Sequence, residues 1–132
     1  MIFMLDTNAA SAALRGHPAI DGRLESLDTS RWCISAVTCS EIRCGVARRP
    51  EATRLRQLVD AFLQVATVLA WDGAAASEHG RLRAFLKARG TPIGDFDEMI
   101  AGHALAVGAV LVTHDQHFAR VPDLMLEDWV QA

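Results

Sequence analysis

Short, continuous apolar runs alternate with amphipathic stretches along this chain. Residues 2–5, 32–37 (WCISAV), 65–71 (VATVLAW) and 109–113 (AVLVT) read as strands, and 124–126 reads as a short fifth. Runs that are apolar throughout, rather than at every second position, suit strands covered by helices on both faces. The intervening stretches carry a helical period. Leu55, Leu58, Val59, Phe62 and Leu63 fall on one face behind Pro50, a start signal. A second helix is expected over 73–89, N-capped by Asp72 and stopped by Gly90 and Pro92. A third is expected over 96–107. It sets Phe96, Met99, Ile100, His103, Ala104 and Val107 on one face, with Gly108 as its C-cap. A short helix over 39–47 follows the second strand. Strands alternating with helices predict an α/β domain with a mainly parallel sheet.

At 132 residues and 51% hydrophobic, the chain is long enough for one core and too short for two, so a single domain over 1–132 is expected. The net charge of -3 excludes a strongly basic nucleic-acid coat but not a local basic patch. Twelve of the 13 cations are Arg, which suits phosphate forks and equally suits a GC-rich genome. Cys33, Cys39 and Cys44 are odd in number and lack C-x-x-C spacing, so neither a disulfide framework nor a zinc knuckle fits. His114 and His117 read as solvated loop residues. The apolar start is too short for a signal peptide, and no 18-residue apolar run exists, so a cytoplasmic address without a membrane partner is expected.

The acids carry the chemistry. In parallel α/β sheets, sites form beyond the carboxyl ends of the strands. Asp6 directly follows the first strand and Asp115 follows the fourth. Glu41 lies just past the second, and Asp97 opens the third helix. Four carboxylates from four distant segments therefore converge on one edge. Unscreened, they raise one another's pKa values, and Mg²⁺ or Mn²⁺ relieves this because hard cations prefer oxygen ligands. Such a cluster suits metal-assisted phosphodiester hydrolysis. Each acid also has a plainer reading. Glu41 closes a capping box with Thr38, Asp6 is a helix cap, and Asp115 is a turn residue. Asp95 and Glu98 form a D-x-x-E box that leaves Asp97 free to face the cleft. His103, on an apolar helix face, reads as a core histidine. Trp32 and Trp71 read as strand-end core or rim residues.

The same residues carry a family resemblance. MLDTN at 4–8, CISAVTCSE at 33–41, GTPIGDFDEMIAGHA at 90–104 and LVTHDQHF at 111–118 resemble a PIN-domain ribonuclease. The likeness is strongest to VapC toxins of toxin–antitoxin modules and continues through RVPDLMLEDW at 120–129. FDEMIAGHA and DTSRWCIS (28–35) resemble the subgroup that cuts initiator tRNA in its anticodon stem-loop.

The resemblance implies a three-layer α/β/α PIN-like fold with a catalytic quartet of Asp6, Glu41, Asp97 and Asp115 holding Mg²⁺ or Mn²⁺. Asp6 and Asp97 match direct ligands, and Glu41 matches an acid that works through water or orients the nucleophile. Thr7, Asn8 and Thr113 match supporting polar positions. Relatives near this subgroup often carry Asn-Asn where this chain has His114-Asp115. Asp95 is a further departure, adding negative charge near an RNA path. The implied reaction leaves 5′-phosphate and 3′-hydroxyl ends without using the 2′-OH. Arg43, Arg48 and Arg49 are candidate phosphate contacts, and Arg81, Arg83, Lys87 and Arg89 form a second basic cluster. A VapB-like antitoxin, an RNA substrate (tRNA) and a toxin homodimer within a higher complex are the implied partners. Two other classes compete: another metal-dependent phosphohydrolase with Asp6 as nucleophile, disfavoured by Asn8, and a catalytically silent binding module.

Overall fold

A computed structural model describes residues 1–130, so the last two positions of the expected domain lie outside the described residues. Five parallel strands form one sheet: β1 (Phe3–Leu5), β2 (Trp32–Ser35), β3 (Val68–Leu69), β4 (Val110–Val112) and β5 (Leu126–Glu127), in the order β3-β2-β1-β4-β5. Central β1 pairs Met4 with Cys33 on one side and with Leu111 on the other. The chain reverses its direction of winding at β1, so a crevice opens beyond Leu5 between the flanking strands.

Helices cover both faces. α1 (Thr7–Leu14), α2 (Pro18–Ser26) and α4 (Thr53–Val65) pack on Phe3, Leu5, Ile34, Val110 and Val112. α5 (Gly73–Arg89) and α6 (Asp95–Val107) pack on Met4, Cys33 and Leu111. α3 (Ala36–Ala47) straddles the edge, with Ile42 in the first core and Val37 in the second. Strand residues thus alternate between two cores, which is why the strands are apolar at every position. The three-layer α/β/α expectation holds.

Several boundaries differ from expectation. The second strand ends at Ser35 because Ser35 Oγ accepts from the Val37 N–H and starts α3 there. Ser35 is therefore the cap, Thr38 lies inside the helix, and the Thr38–Glu41 capping box does not form. The third strand is only Val68–Leu69, because α4 runs on through Val65 and Trp71 turns its Nε1–H to the Met99 carbonyl at 3.0 Å. The fifth strand lies at Leu126–Glu127 rather than over 124–126. α1 and α2 stand where the apolar pattern marked no element. Five of the eight residues of α1 are Ala or Leu, so its buried face is small and close-fitting, and Pro18 opens α2 at its first turn.

α5 and α6 cross closely at Gly102. A Cβ there would sit 2.7 Å from His79 Cα, so only glycine permits the approach. His103 is buried as expected, and its Nδ1 lies 2.7 Å from Ser35 Oγ. Burial holds its pKa below the usual range, against the pull of Asp72. Among the described residues, no helix is long and apolar enough to cross a membrane.

Candidate active site

The crevice beyond β1 is built by three chain segments. Asp6 leaves β1 and caps α1, with its Oδ1 accepting from the Ala9 N–H at 2.8 Å. The plain reading and the functional one can coexist here, since a carboxylate oxygen with two lone pairs can cap the helix while the group faces the crevice. Asp6 is 3% exposed, and burial raises its pKa; Thr113 and the Ala9 N–H oppose this, while the charges of Asp97 and Asp115 add to it.

Asp97 comes from the first turn of α6. That helix starts at Gly94, whose φ of 109° is a conformation that side-chain-bearing residues avoid. Burial raises the Asp97 pKa, His117 opposes the shift, and Asp115 adds to it. Asp115 follows β4 and caps the short 3₁₀ turn Gln116–Arg120, its Oδ1 accepting from the His117 N–H at 3.1 Å. Thr113, buried at the end of β4, accepts the Asp115 N–H at 3.0 Å through its Oγ1 and holds the loop.

Asp6, Asp97 and Asp115 thus come together, and among the described residues no Lys or Arg pairs with any of them. Glu41 comes from a fourth segment. It projects from α3 across to α1, where Thr7 Oγ1 donates to its Oε1 at 2.5 Å. Thr7, Asn8, Arg15 and Glu41 line one cavity of about 150 Å³. Asn8 is exposed and Thr7 half-buried, and of these two it is Thr7 that supports an acid.

His117 was missed by the sequence reading. Its Nε2 lies 2.9 Å from Asp97 Oδ2 and its Nδ1 3.2 Å from Asp115 Oδ1. One ligand atom from each of Asp97, Asp115 and His117 lies within 4.8 Å of the others. Only its position two residues after Asp115 hinted at this. His114 is the loop histidine that stays outside, with its Nδ1 2.7 Å from Asp128.

The donor chemistry fits a divalent cation. Carboxylates with raised pKa values and no Lys or Arg partner are stabilised by a cation, and oxygen-rich sites suit Mg²⁺ and Mn²⁺.

The surrounding charges are corrected in detail. Asp95 and Glu98 do not form the expected capping box. Arg83 Nη1 reaches Asp95 at 2.8 Å and Glu98 at 3.0 Å, and Glu98 Oε2 accepts the Ile93 N–H at 3.0 Å. Asp95 is therefore paired, and its expected repulsion of RNA is offset. Arg43 pairs with Asp60 at 3.1 Å, and Arg81 pairs with Glu78 at 2.6 Å. Arg48 and Arg49 instead line a recess with Arg15 beside the Glu41 cavity.

The PIN domain model matches residues 3–124. The "tRNA(fMet)-specific endonuclease VapC" of Salmonella typhimurium is 39% identical over 128 residues, covering 96% of this chain and 97% of that protein. A "Ribonuclease VapC2" of Rickettsia felis is 34% identical over 98% of each chain. Among solved structures, DNA-bound VapBC from Salmonella typhimurium superposes with a TM-score of 0.91 at 40% identity, covering 98% of both chains. VapBC2 from Rickettsia felis, bound to a DNA fragment from its promoter, superposes at 0.90 and 33% identity, covering 98% of this chain and 99% of that one. With this likeness running the length of the described fold and through the acidic crevice, the chain belongs to the VapC family of PIN-domain proteins.

Proposed function

We propose that this chain is the toxin ribonuclease of a toxin–antitoxin pair, acting in the cytoplasm as a Mg²⁺- or Mn²⁺-dependent endonuclease on the anticodon stem-loop of initiator tRNA. One observation carries the chemistry: three carboxylates meet at the switch point of the sheet, with raised pKa values at Asp6 and Asp97 and no Lys or Arg to neutralise them. The substrate reading is supported by the relatives named as tRNA(fMet)-specific endonucleases. A cation held by Asp6, Asp97 and Asp115 would acidify water and neutralise charge on the scissile phosphate.

The remaining work falls to side chains of this protein. Glu41, with its Oε1 tied to Thr7 Oγ1, offers its other carboxylate oxygen to orient the attacking water and accept its proton. Thr113 steadies both Asp6 and the Asp115 loop. Arg15, Arg48 and Arg49 offer phosphate contacts along one side of the cleft. A looped RNA fits this arrangement better than a regular helix, because splayed bases and a bent backbone reach a compact cleft. A VapB-like antitoxin, in line with the solved VapBC structures, and a toxin homodimer complete the assembly.

The test is incubation of the purified protein with total bacterial RNA and Mg²⁺ or Mn²⁺, followed by mapping of new 5′-phosphate ends. One dominant cut in the initiator tRNA anticodon stem-loop is expected, absent in Asp97→Asn and in excess EDTA. Cuts confined to ribosomal or messenger RNA overturn the substrate. Undiminished cleavage in EDTA overturns the mechanism, and no cleavage of any RNA leaves a silent binding module.

A further inference from the structure

The acidic group contains a nitrogen donor, the imidazole of His117. His117 Nε2 is sealed from solvent and lies 2.9 Å from Asp97 Oδ2. The opposite nitrogen, Nδ1, faces Asp115 Oδ1 at 3.2 Å. Each ring nitrogen thus lies beside a carboxylate, and one ligand atom from each of the three residues falls within 4.8 Å of the others. The ring is also held mechanically. It packs against Phe118 with centroids 4.8 Å apart, Phe118 is 1% exposed, and the His117 N–H is anchored to Asp115.

We infer that His117 Nε2 ligates the cation held at Asp97, making a mixed oxygen–nitrogen site that prefers Mn²⁺ to Mg²⁺. This rests on the metal-site reading above and adds to it the donor set and the selectivity. Adjacent ligand atoms on an octahedral ion, each about 2.1 Å from it, lie about 3 Å apart, so Asp97 Oδ2 and His117 Nε2 stand at a spacing that one ion can share. Imidazole suits transition-metal ions, whereas Mg²⁺ favours an all-oxygen shell. His114 does not compete for the role, because its Nδ1 is engaged with Asp128.

The test uses Mn²⁺ as the probe on the full chain after metal removal. Bound ion is counted by electron paramagnetic resonance, and directly bound nitrogen is detected by pulsed measurements on protein with ordinary or ¹⁵N-labelled histidine. Wild type should show coupling to one imidazole nitrogen that changes with the label. His117→Gln should lose the coupling and weaken Mn²⁺ binding by about tenfold or more, with a much smaller change for Mg²⁺ measured by competition. His114→Gln should keep both. Bound Mn²⁺ without nitrogen coupling, or equal losses for the two ions in His117→Gln, overturns the inference. If that variant does not fold, the isotope comparison in wild type decides alone. If wild type binds no Mn²⁺, or Asp97→Asn binds it as tightly as wild type, the metal-site reading falls and the inference falls with it.

Discussion

Asp97 and Glu98 are neighbours on the first turns of α6 and face opposite fates. Glu98 is the more deeply buried, at 2% exposure, yet it has Arg83 at 3.0 Å and the Ile93 N–H at 3.0 Å. Its charge is compensated within the fold, and it fastens the loop before the helix to α5. Asp97 is one-third exposed and has only His117 and other acids around it. Burial alone does not mark a functional acid; a raised pKa without a Lys or Arg countercharge does. The fold stabilises the first carboxylate and leaves the second to be stabilised by something that arrives from outside.

The largest expected effect breaks the contrast if it fails. Asp97→Asn should lower RNA cleavage by at least about 100-fold. It should also raise the melting temperature of the EDTA-treated protein, because it removes charge from the acidic group with little change in volume. Equal damage to activity and stability would show that Asp97 is structural, as Glu98 is. Glu41→Gln should cost about tenfold in cleavage, less than Asp97→Asn, since Glu41 is not part of the ligand-spaced group of Asp97, Asp115 and His117. A larger loss would place Glu41 inside it.

Glu98→Ala sharpens the other half of the contrast. The Ile93 N–H loses its partner, so stability should fall by about 1–3 kcal/mol, visible as a drop of several degrees in melting temperature. Mn²⁺ affinity should change far less than in Asp97→Asn. An unchanged melting temperature would mean that the Arg83 pairing does not fasten the loop.

The pH dependence is smaller and has a definite sign. Asp6 and Asp97 hold their protons more tightly folded than unfolded. Their contribution to metal-free stability therefore falls as pH rises from about 4, the ordinary carboxylate range, through their raised values. Urea unfolding in EDTA should show this slope for wild type and a shallower one for Asp6→Asn and Asp97→Asn. Saturating Mn²⁺ should reverse it, because ligation requires the ionised form. Smallest of all, Arg43→Ala should leave the melting temperature and cleavage nearly unchanged, since its exposed pair with Asp60 is screened by water.

The chain's own pattern determined the layered architecture and the edge at which acids collect. Strands apolar at every position demand helices on both faces, and a parallel sheet sends Asp6 and Asp115 out at the same end. Those are consequences of period and order, which a linear chain carries. The resemblance of its motifs to PIN-domain proteins named the family before any geometry was known.

Tertiary structure decided which acids are compensated and which helices form. D-x-x-E reads as a capping box along the chain, but Arg83, 12 residues before Asp95 and 15 before Glu98, captures both acids across the α5–α6 contact. Thr38 is as good a cap by residue type as Ser35, and the helix starts at Ser35 because the Ser35 hydroxyl reaches the Val37 N–H at the end of β2. The small apolar face of α1 becomes informative only when the sheet lies beneath it. His117 looks like a loop residue until the 3₁₀ turn after β4 swings it against Asp97 on another helix. Charge compensation and ligand geometry depend on distances between remote segments, and those distances exist only once the chain has folded.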